Sequence, residues 1–126
     1  MAVTTQILIG GSAATVLNST CYDALSGSYD IGGATWSTDE SWTEQLISTP
    51  GTITGLRIHL DVAPGAGTSR TFTVRKNRAV TSVTVTISDT DTTGVDLINS
   101  FTVTAGDRVS VRQIVSSTPA SASCRH

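Results

Sequence analysis

Apolar and polar residues alternate along the middle of the chain, in three successive segments. A period of two indicates a β-strand with one buried and one solvated face. Residues 63–67, which include Pro64, cannot continue a strand and separate the first segment from the second. The residues predicted to face the core are Leu56, Ile58, Leu60, Val62, Phe72, Val74, Val83, Val85 and Ile87.

Weaker strand signals flank this region on both sides. Residues 4–9 and 13–17 are predicted strands. Residues 26–41 are rich in glycine and predict a long loop or irregular strand, after which regular structure resumes. A tight turn at residues 105–107 separates the last two predicted strands. The inward positions predicted for these two strands are Val95, Leu97, Phe101, Val103, Val109, Val111 and Val115.

About eight strands, with turns roughly every 8–12 residues, indicate an all-β protein. Antiparallel strands must protect their edges, and a double-sheet jelly roll is one of the few folds that does so at this length. We therefore predict a single antiparallel jelly-roll sandwich domain that spans residues 1–126.

The composition restricts the possible partners. Serine and threonine make up about 30% of the residues, which predicts a hydroxyl-covered, solvated sheet face. The formal net charge of -2 and the pI near 5.5 argue against nucleic acid as a partner. The sequence shows neither a membrane-spanning apolar run nor the features of a signal peptide, so we expect neither membrane insertion nor general secretion.

Several segments together resemble a known group of proteins. They are LRIHLDVAPGAGTSRTFTVRKN, TVTISDTDTTG and SFTVTAGDRVSVR, and the first third of the chain, including ILIGGSAATVLNSTCYDALSG, fits the same pattern. The sequence is similar to small β-sandwich proteins encoded by phages and prophage-like regions, whose outline is related to that of C1q and tumour necrosis factor. Such proteins are generally described as virion structural or hypothetical proteins.

This resemblance implies a non-enzymatic structural role in a phage virion that is assembled in the host cytoplasm. Capsid decoration is the role we expect, because a short chain without fibrous repeats suits a surface protein better than a whole fibre. The implied partners are a major capsid or other virion protein and further copies of the chain, as a homotrimer. The resemblance implies no cofactor and no catalytic residue. The alternative is a glycan-binding or tail-fibre receptor-binding module.

Two positions depart from the family pattern. Arg78 follows Asn77 where the family usually has glycine, so we expect a different hairpin turn there, because arginine tolerates positive φ poorly. The sequence ends at His126, where relatives usually continue into a last strand with a tryptophan. Either the last strand is short or a neighbouring chain completes the sheet.

Four basic residues are candidates for an interface. Arg57, Arg75 and Arg112 share the outward parity of regular strands, and their guanidinium groups would cluster if those strands were neighbours. His59 lies on the outward face between Arg57 and Asp61, where it could contribute to a subunit contact. The alternative is that these are separate, solvated charges.

Two tryptophans are candidates for glycan contact. Trp36 and Trp42 could form a stacking platform, since an exposed indole offers a flat apolar face to a sugar ring. The alternative is that both fill the core.

The remaining candidate sites favour a structural explanation. The acidic segment 89–96 lacks the distal glutamate that a calcium loop requires, so a polar hairpin tip is predicted. Cys21 and Cys124 could meet in a sandwich, but without an export signal two reduced thiols are expected. No residue spacing indicates zinc or a positioned nucleophile, so neither a metal site nor an enzyme is predicted.

Overall fold

The computed structural model describes residue 8 and residues 10–16, 18–27 and 35–126. Within these residues the chain forms nine strands and one short 3₁₀ helix. The strands are β1 (Gly11–Val16), β2 (Cys21–Asp23), β3 (Gln45–Leu46), β4 (Gly51–Leu60), β5 (Gly65–Lys76), β6 (Ala79–Asp89), β7 (Thr93–Val103), β8 (Arg108–Ser116) and β9 (Ala122–Arg125), and the 3₁₀ helix is Glu40–Trp42. The strand predicted over residues 4–9 lies outside the described residues, apart from Leu8.

Two antiparallel sheets form a sandwich. The four-strand sheet has the order β1-β9-β4-β7, and the five-strand sheet has the order β2-β8-β5-β6 with β3 paired to β8. The chain therefore crosses between the two sheets repeatedly, so that most sequence neighbours lie in opposite sheets. This is the jelly-roll topology that the sequence predicted. The last strand, β9, pairs with both β1 and β4.

The core lies between the two sheets and follows the predicted alternation. Leu60, Phe72, Val74 and Val83 are fully buried, and the neighbouring inward positions are nearly so. The inward assignments of the three central segments are thus confirmed, with one exception. Val62 is 45% exposed, because β4 ends at Leu60 and the chain turns away.

The prediction for β7 was wrong at two positions. Val95 and Leu97 are 53% and 56% exposed, whereas Asp96 is buried between them. The pairing of β7 with β4 shifts between Thr54 and Leu56, which marks a β-bulge on β7. Because a bulge inverts the alternation, only the inward positions beyond it, such as Val103, keep the predicted side.

The hairpin between β5 and β6 also differs from expectation. Asn77 and Arg78 have φ values of 50° and 66°, and Lys76 pairs with Ala79. Positive φ at both central residues is the signature of a two-residue type I′ turn, so Arg78 adopts the conformation that glycine would favour. The Asn77 side chain supports this turn, since its amide nitrogen donates to Asp107 Oδ1 at 2.7 Å.

Candidate functional site

The four basic residues predicted to form an interface lie on opposite faces of the sandwich. Arg57 and His59 are exposed on β4 in the four-strand sheet. Arg75 and Arg112 lie on the paired strands β5 and β8 of the five-strand sheet. The condition for a cluster of three arginines is therefore not met, because Arg57 belongs to the other sheet. An interface role for any of these residues remains a prediction.

The surroundings of His59 are defined by strand register. His59 lies opposite Arg125 on β9 and opposite Thr93 on β7. Asp61, its predicted neighbour, lies beyond the end of β4, where its carboxylate accepts a hydrogen bond from the Ser123 N–H at 2.6 Å. His59 and Arg125 are thus cross-strand neighbours on an exposed surface.

Arg75 forms an ion pair within the chain. Its guanidinium group donates to both carboxylate oxygens of Glu40, at 2.7 and 3.0 Å, and the Ser110 hydroxyl donates to Glu40 Oε1 at 2.8 Å. The Arg75 guanidinium carbon also lies 5.9 Å from the centre of the Tyr22 ring. Because both members of the ion pair are largely buried, the contact fixes the 3₁₀ helix to the outer face of the five-strand sheet.

The two tryptophans have different environments. Trp36 is 1% exposed and packs edge-to-face against Phe72 and His126, with ring centres 5.8 and 5.7 Å apart. It cannot stack on a sugar, which corrects its assignment as a glycan contact. Trp42 lies at the end of the 3₁₀ helix and is 60% exposed.

Two arginines share one carboxylate close to Trp42. Arg78 donates to both oxygens of Glu44, at 2.9 and 3.2 Å, and Arg108 Nη1 lies 3.4 Å from Glu44 Oε2. The hydrogen bonds from Arg78 lower the pKa of Glu44 against the opposing effect of burial, and the charge of Arg108 acts in the same direction as Arg78. Asp39 belongs to the same neighbourhood, since Trp42 and Arg78 both help to lower its pKa, after the larger effect of hydrogen bonds from Ser41. We call Asp39, Trp42, Glu44, Arg78 and Arg108 the Trp42 surface.

In the acidic segment 89–96, Asp89 and Asp96 accept hydrogen bonds that hold the backbone of a turn and of the β7 bulge. Asp89 has a φ of 53°, and its carboxylate accepts a hydrogen bond from Gly67 N–H at 2.7 Å. Asp96 lies on β7 rather than at the hairpin tip. Its carboxylate accepts hydrogen bonds from the backbone of Thr84, Ile98 and Asn99 at 3.0–3.2 Å. Among the described residues, no group of three or more His, Cys, Asp or Glu is placed to hold a metal ion.

A buried arginine lies inside the sandwich. Arg70 is fully buried and donates to Gln113 Oε1, to Asn18 Oδ1 at 2.9 Å and to the Ala120 carbonyl at 2.7 Å. Gln113 in turn donates to the Ser19 carbonyl at 2.9 Å. The network therefore joins β5 and β8 to the connections before β2 and before β9, and desolvation lowers the pKa of the Arg70 guanidinium.

The two cysteines lie in the core near this arginine. Neither cysteine forms a disulfide and both are fully buried, so two reduced thiols are present, as the sequence led us to expect. Burial raises the pKa of the Cys124 thiol, so it stays protonated.

Sequence reasoning missed the polar residues that organise these regions. Arg70 and Gln113 have the inward parity of Phe72 and Val111, and that parity was the available signal. Glu40 and Glu44 offered no local signal, because their partners lie more than thirty positions away in sequence.

No protein-family model matches the sequence, and no curated protein matches it significantly. In the part of the chain that the structure describes, no helix has the length and apolar character needed to cross a membrane.

Proposed function

We propose that this protein is a non-enzymatic structural component of a bacteriophage particle and attaches to the outside of the capsid as a decoration protein. The fold supports this proposal, because the phage proteins that the sequence resembles share the jelly-roll outline. A decoration protein also needs a surface suited to attachment.

The β7 bulge provides such a surface, and this observation carries the proposal. Ile98 is 92% exposed, the largest value among the exposed apolar residues of the described chain, and Leu97 beside it is 56% exposed. Val95, on the same strand, adds a third exposed apolar side chain. A group of exposed apolar residues on a soluble surface is typical of an interaction site.

The bulge is held in one conformation. One oxygen of the Asp96 carboxylate accepts hydrogen bonds from the backbone N–H groups of Ile98 and Asn99. Its second oxygen accepts from Thr84 N–H on β6, a strand of the other sheet. A protruding side chain on a fixed backbone can enter a pocket of a partner with little loss of conformational entropy. Ile98 is therefore suited to be the central contact with a shell protein.

The outer face of the five-strand sheet has the opposite character. Threonine hydroxyls pair across its strands, Thr71 with Thr86 at 2.9 Å and Thr73 with Thr84 at 3.0 Å. The Thr71–Thr86 pair is exposed, so this part of the face suits contact with solvent. We propose that this face points away from the shell and that the chain assembles as a homotrimer, by analogy of shape with the proteins it resembles.

The proposal is tested by adding the purified chain to capsids of its phage that lack it, and by measuring co-sedimentation. Ile98→Asp should abolish attachment, because a charge would have to be buried in an apolar contact. Leu46→Asp is the matched control, since Leu46 is 72% exposed on β3 of the other sheet, and it should bind like the wild type. Full attachment of a folded Ile98→Asp variant would contradict the proposed contact.

A further inference from the structure

Trp42 is a large aromatic side chain that the fold presents to solvent. It is 60% exposed, although Glu40, two residues before it, and Thr43, directly after it, are only 9% and 2% exposed. An indole that had only to fill space would be expected to turn toward the core, as Trp36 does. The exposure of Trp42 therefore suggests a role other than filling the core.

The backbone that carries Trp42 is anchored on both sides. Asp39 caps the 3₁₀ helix, with its Oδ1 atom accepting hydrogen bonds from Ser41 N at 2.9 Å and Ser41 Oγ at 2.7 Å. The side chain of Glu40 is held by Arg75 and Ser110, and Thr43 N–H closes the turn on the Glu40 carbonyl at 3.0 Å. A side chain presented in this way loses little freedom when it binds a ligand.

The groups around the indole balance in charge. Asp39 and Glu44 supply two negative charges, and Arg78 and Arg108 supply two positive ones. The two guanidinium groups are about half exposed, at 52% and 48% of their side chains, so each keeps donors available to a ligand. The surface therefore offers hydrogen-bond donors and acceptors together, without a net charge.

We propose that the Trp42 surface is a binding subsite for a neutral sugar residue of a glycan. The C–H face of the sugar ring stacks on the exposed indole, and its hydroxyl groups, which both donate and accept, bind the half-exposed guanidinium groups of Arg78 and Arg108 and the exposed carboxylate of Asp39. Arg78 is fixed for this role by its turn, since its carbonyl accepts a hydrogen bond from Arg75 while its side chain binds Glu44. The subsite uses a single tryptophan.

An anionic sugar fits this surface less well. Glu44 and Asp39 together already balance the charges of Arg78 and Arg108, so an added carboxylate would gain little net attraction. The inference goes beyond the structural role proposed above and does not depend on it, because the Trp42 surface and the β7 bulge belong to different elements of the fold.

Quenching of tryptophan fluorescence by iodide tests the inference on the whole chain. Trp36 is buried, so iodide quenching reports on Trp42. The probes are maltohexaose, cellohexaose, mannohexaose and chitohexaose as neutral glycans, and polygalacturonate as an anionic one. At least one neutral hexasaccharide should protect Trp42 from iodide, and polygalacturonate should not.

Affinity for the protecting sugar is then measured by isothermal titration calorimetry. Trp42→Ala should weaken binding about tenfold or more, and Trp42→Phe should weaken it less, because a smaller aromatic face remains. Ile98→Asp is the matched control and should bind the sugar like the wild type, whereas Trp42→Ala should still attach to capsids.

Three results would overturn the inference. They are no protection by any neutral probe, protection by polygalacturonate alone, and unchanged sugar affinity in Trp42→Ala. If Trp42→Ala instead loses capsid attachment while no sugar binds, the surface contacts protein and the glycan subsite is wrong. Capsid attachment by Ile98→Asp tests only the decoration proposal, and sugar binding by Trp42→Ala tests only the glycan subsite. Either proposal can therefore fail without the other.

Discussion

The Asp96 carboxylate accepts a hydrogen bond from the backbone N–H of Ile98 at 3.2 Å, so a buried acid fixes the most exposed large apolar side chain of the described chain. The backbone N–H groups of Asn99 and Thr84 make the largest contributions to lowering the pKa of Asp96 to about 2. The structure thus couples an internal hydrogen-bond network to an exposed apolar side chain.

The first prediction concerns acid stability. The pKa of Asp96 is about 2 in the folded chain, against 3.8 for an unperturbed aspartate, so its contribution to stability is present above pH 3.8 and is lost as the pH falls toward 2. Asp96→Asn should be less stable at neutral pH and should lose less further stability between pH 4 and pH 2. Urea unfolding at each pH measures both effects. If Asp96→Asn lost as much stability between pH 4 and pH 2 as the wild type does, Asp96 would not be the group responsible.

The second prediction concerns the close approach of β7 and β6. A Cβ atom added at Gly94 would overlap Val85 Cγ1, in a region where Val85 is buried. Gly94→Ala should therefore destabilise the fold by about 1–3 kcal/mol, as overpacking does. Gly51→Ala is the matched control, since nothing lies within 4 Å of its added Cβ. Thermal unfolding of the two variants tests the difference, and equal midpoints would refute it.

The third prediction concerns the buried arginine. Arg70→Met would leave the acceptors on Gln113 and Ala120 without their donor, so we expect a loss of about 1–3 kcal/mol in the free energy of unfolding. The double variant Arg70→Met/Gln113→Leu removes both a donor and its main acceptor and should recover part of this loss. Chemical denaturation of both variants provides the comparison. If the double variant is less stable than the single one, the network is organised differently.

The fourth prediction concerns pH near neutrality. Burial lowers the pKa of His126 against the opposing effects of a hydrogen bond to the Ala24 carbonyl and of the nearby Asp23. As the pH falls below the ordinary value of 6.5, the unfolded chain takes up a proton that the folded chain does not, so stability falls. Its contribution is fully present above pH 6.5.

His126→Phe tests this account, because phenylalanine keeps an aromatic ring beside Trp36 but cannot titrate. The variant should show a smaller loss of stability between pH 7.5 and pH 5 in urea unfolding. His59→Gln, at an exposed position on β4, serves as the control and should keep the wild-type slope. If His126→Phe lost as much stability between pH 7.5 and pH 5 as the wild type does, another titrating group would be responsible.

Strand parity predicted the sandwich because burial alternates over residues 56–60 of β4 and 83–87 of β6, and because Phe72 and Val74 of β5 are buried as their parity requires. It failed on β7, where a bulge held by Asp96 inverts the alternation, and local sequence does not encode the distant Thr84 that completes the bulge. Parity also could not show that Trp36 is buried and Trp42 exposed. One ring packs against Phe72 and the other lies on a short helix anchored by Arg75, and both contacts join residues more than thirty positions apart.

Strand parity also placed a charged residue, Arg70, at an inward position. Arg70 follows the inward pattern of its strand, yet a charged residue at an inward position is identified only when its partners from other strands are known. The Trp42 surface likewise assembles residues from the 3₁₀ helix, the β5–β6 turn and the start of β8. Its members are adjacent only after the jelly roll has formed.

Electron cryomicroscopy of the phage particle that carries this chain tests the central claim most directly. The account predicts trimeric density on the outside of the capsid, with the β7 bulge and Ile98 facing the shell and the outer face of the five-strand sheet facing solvent. Density at the tail tip, or none on any virion, would contradict the decoration role.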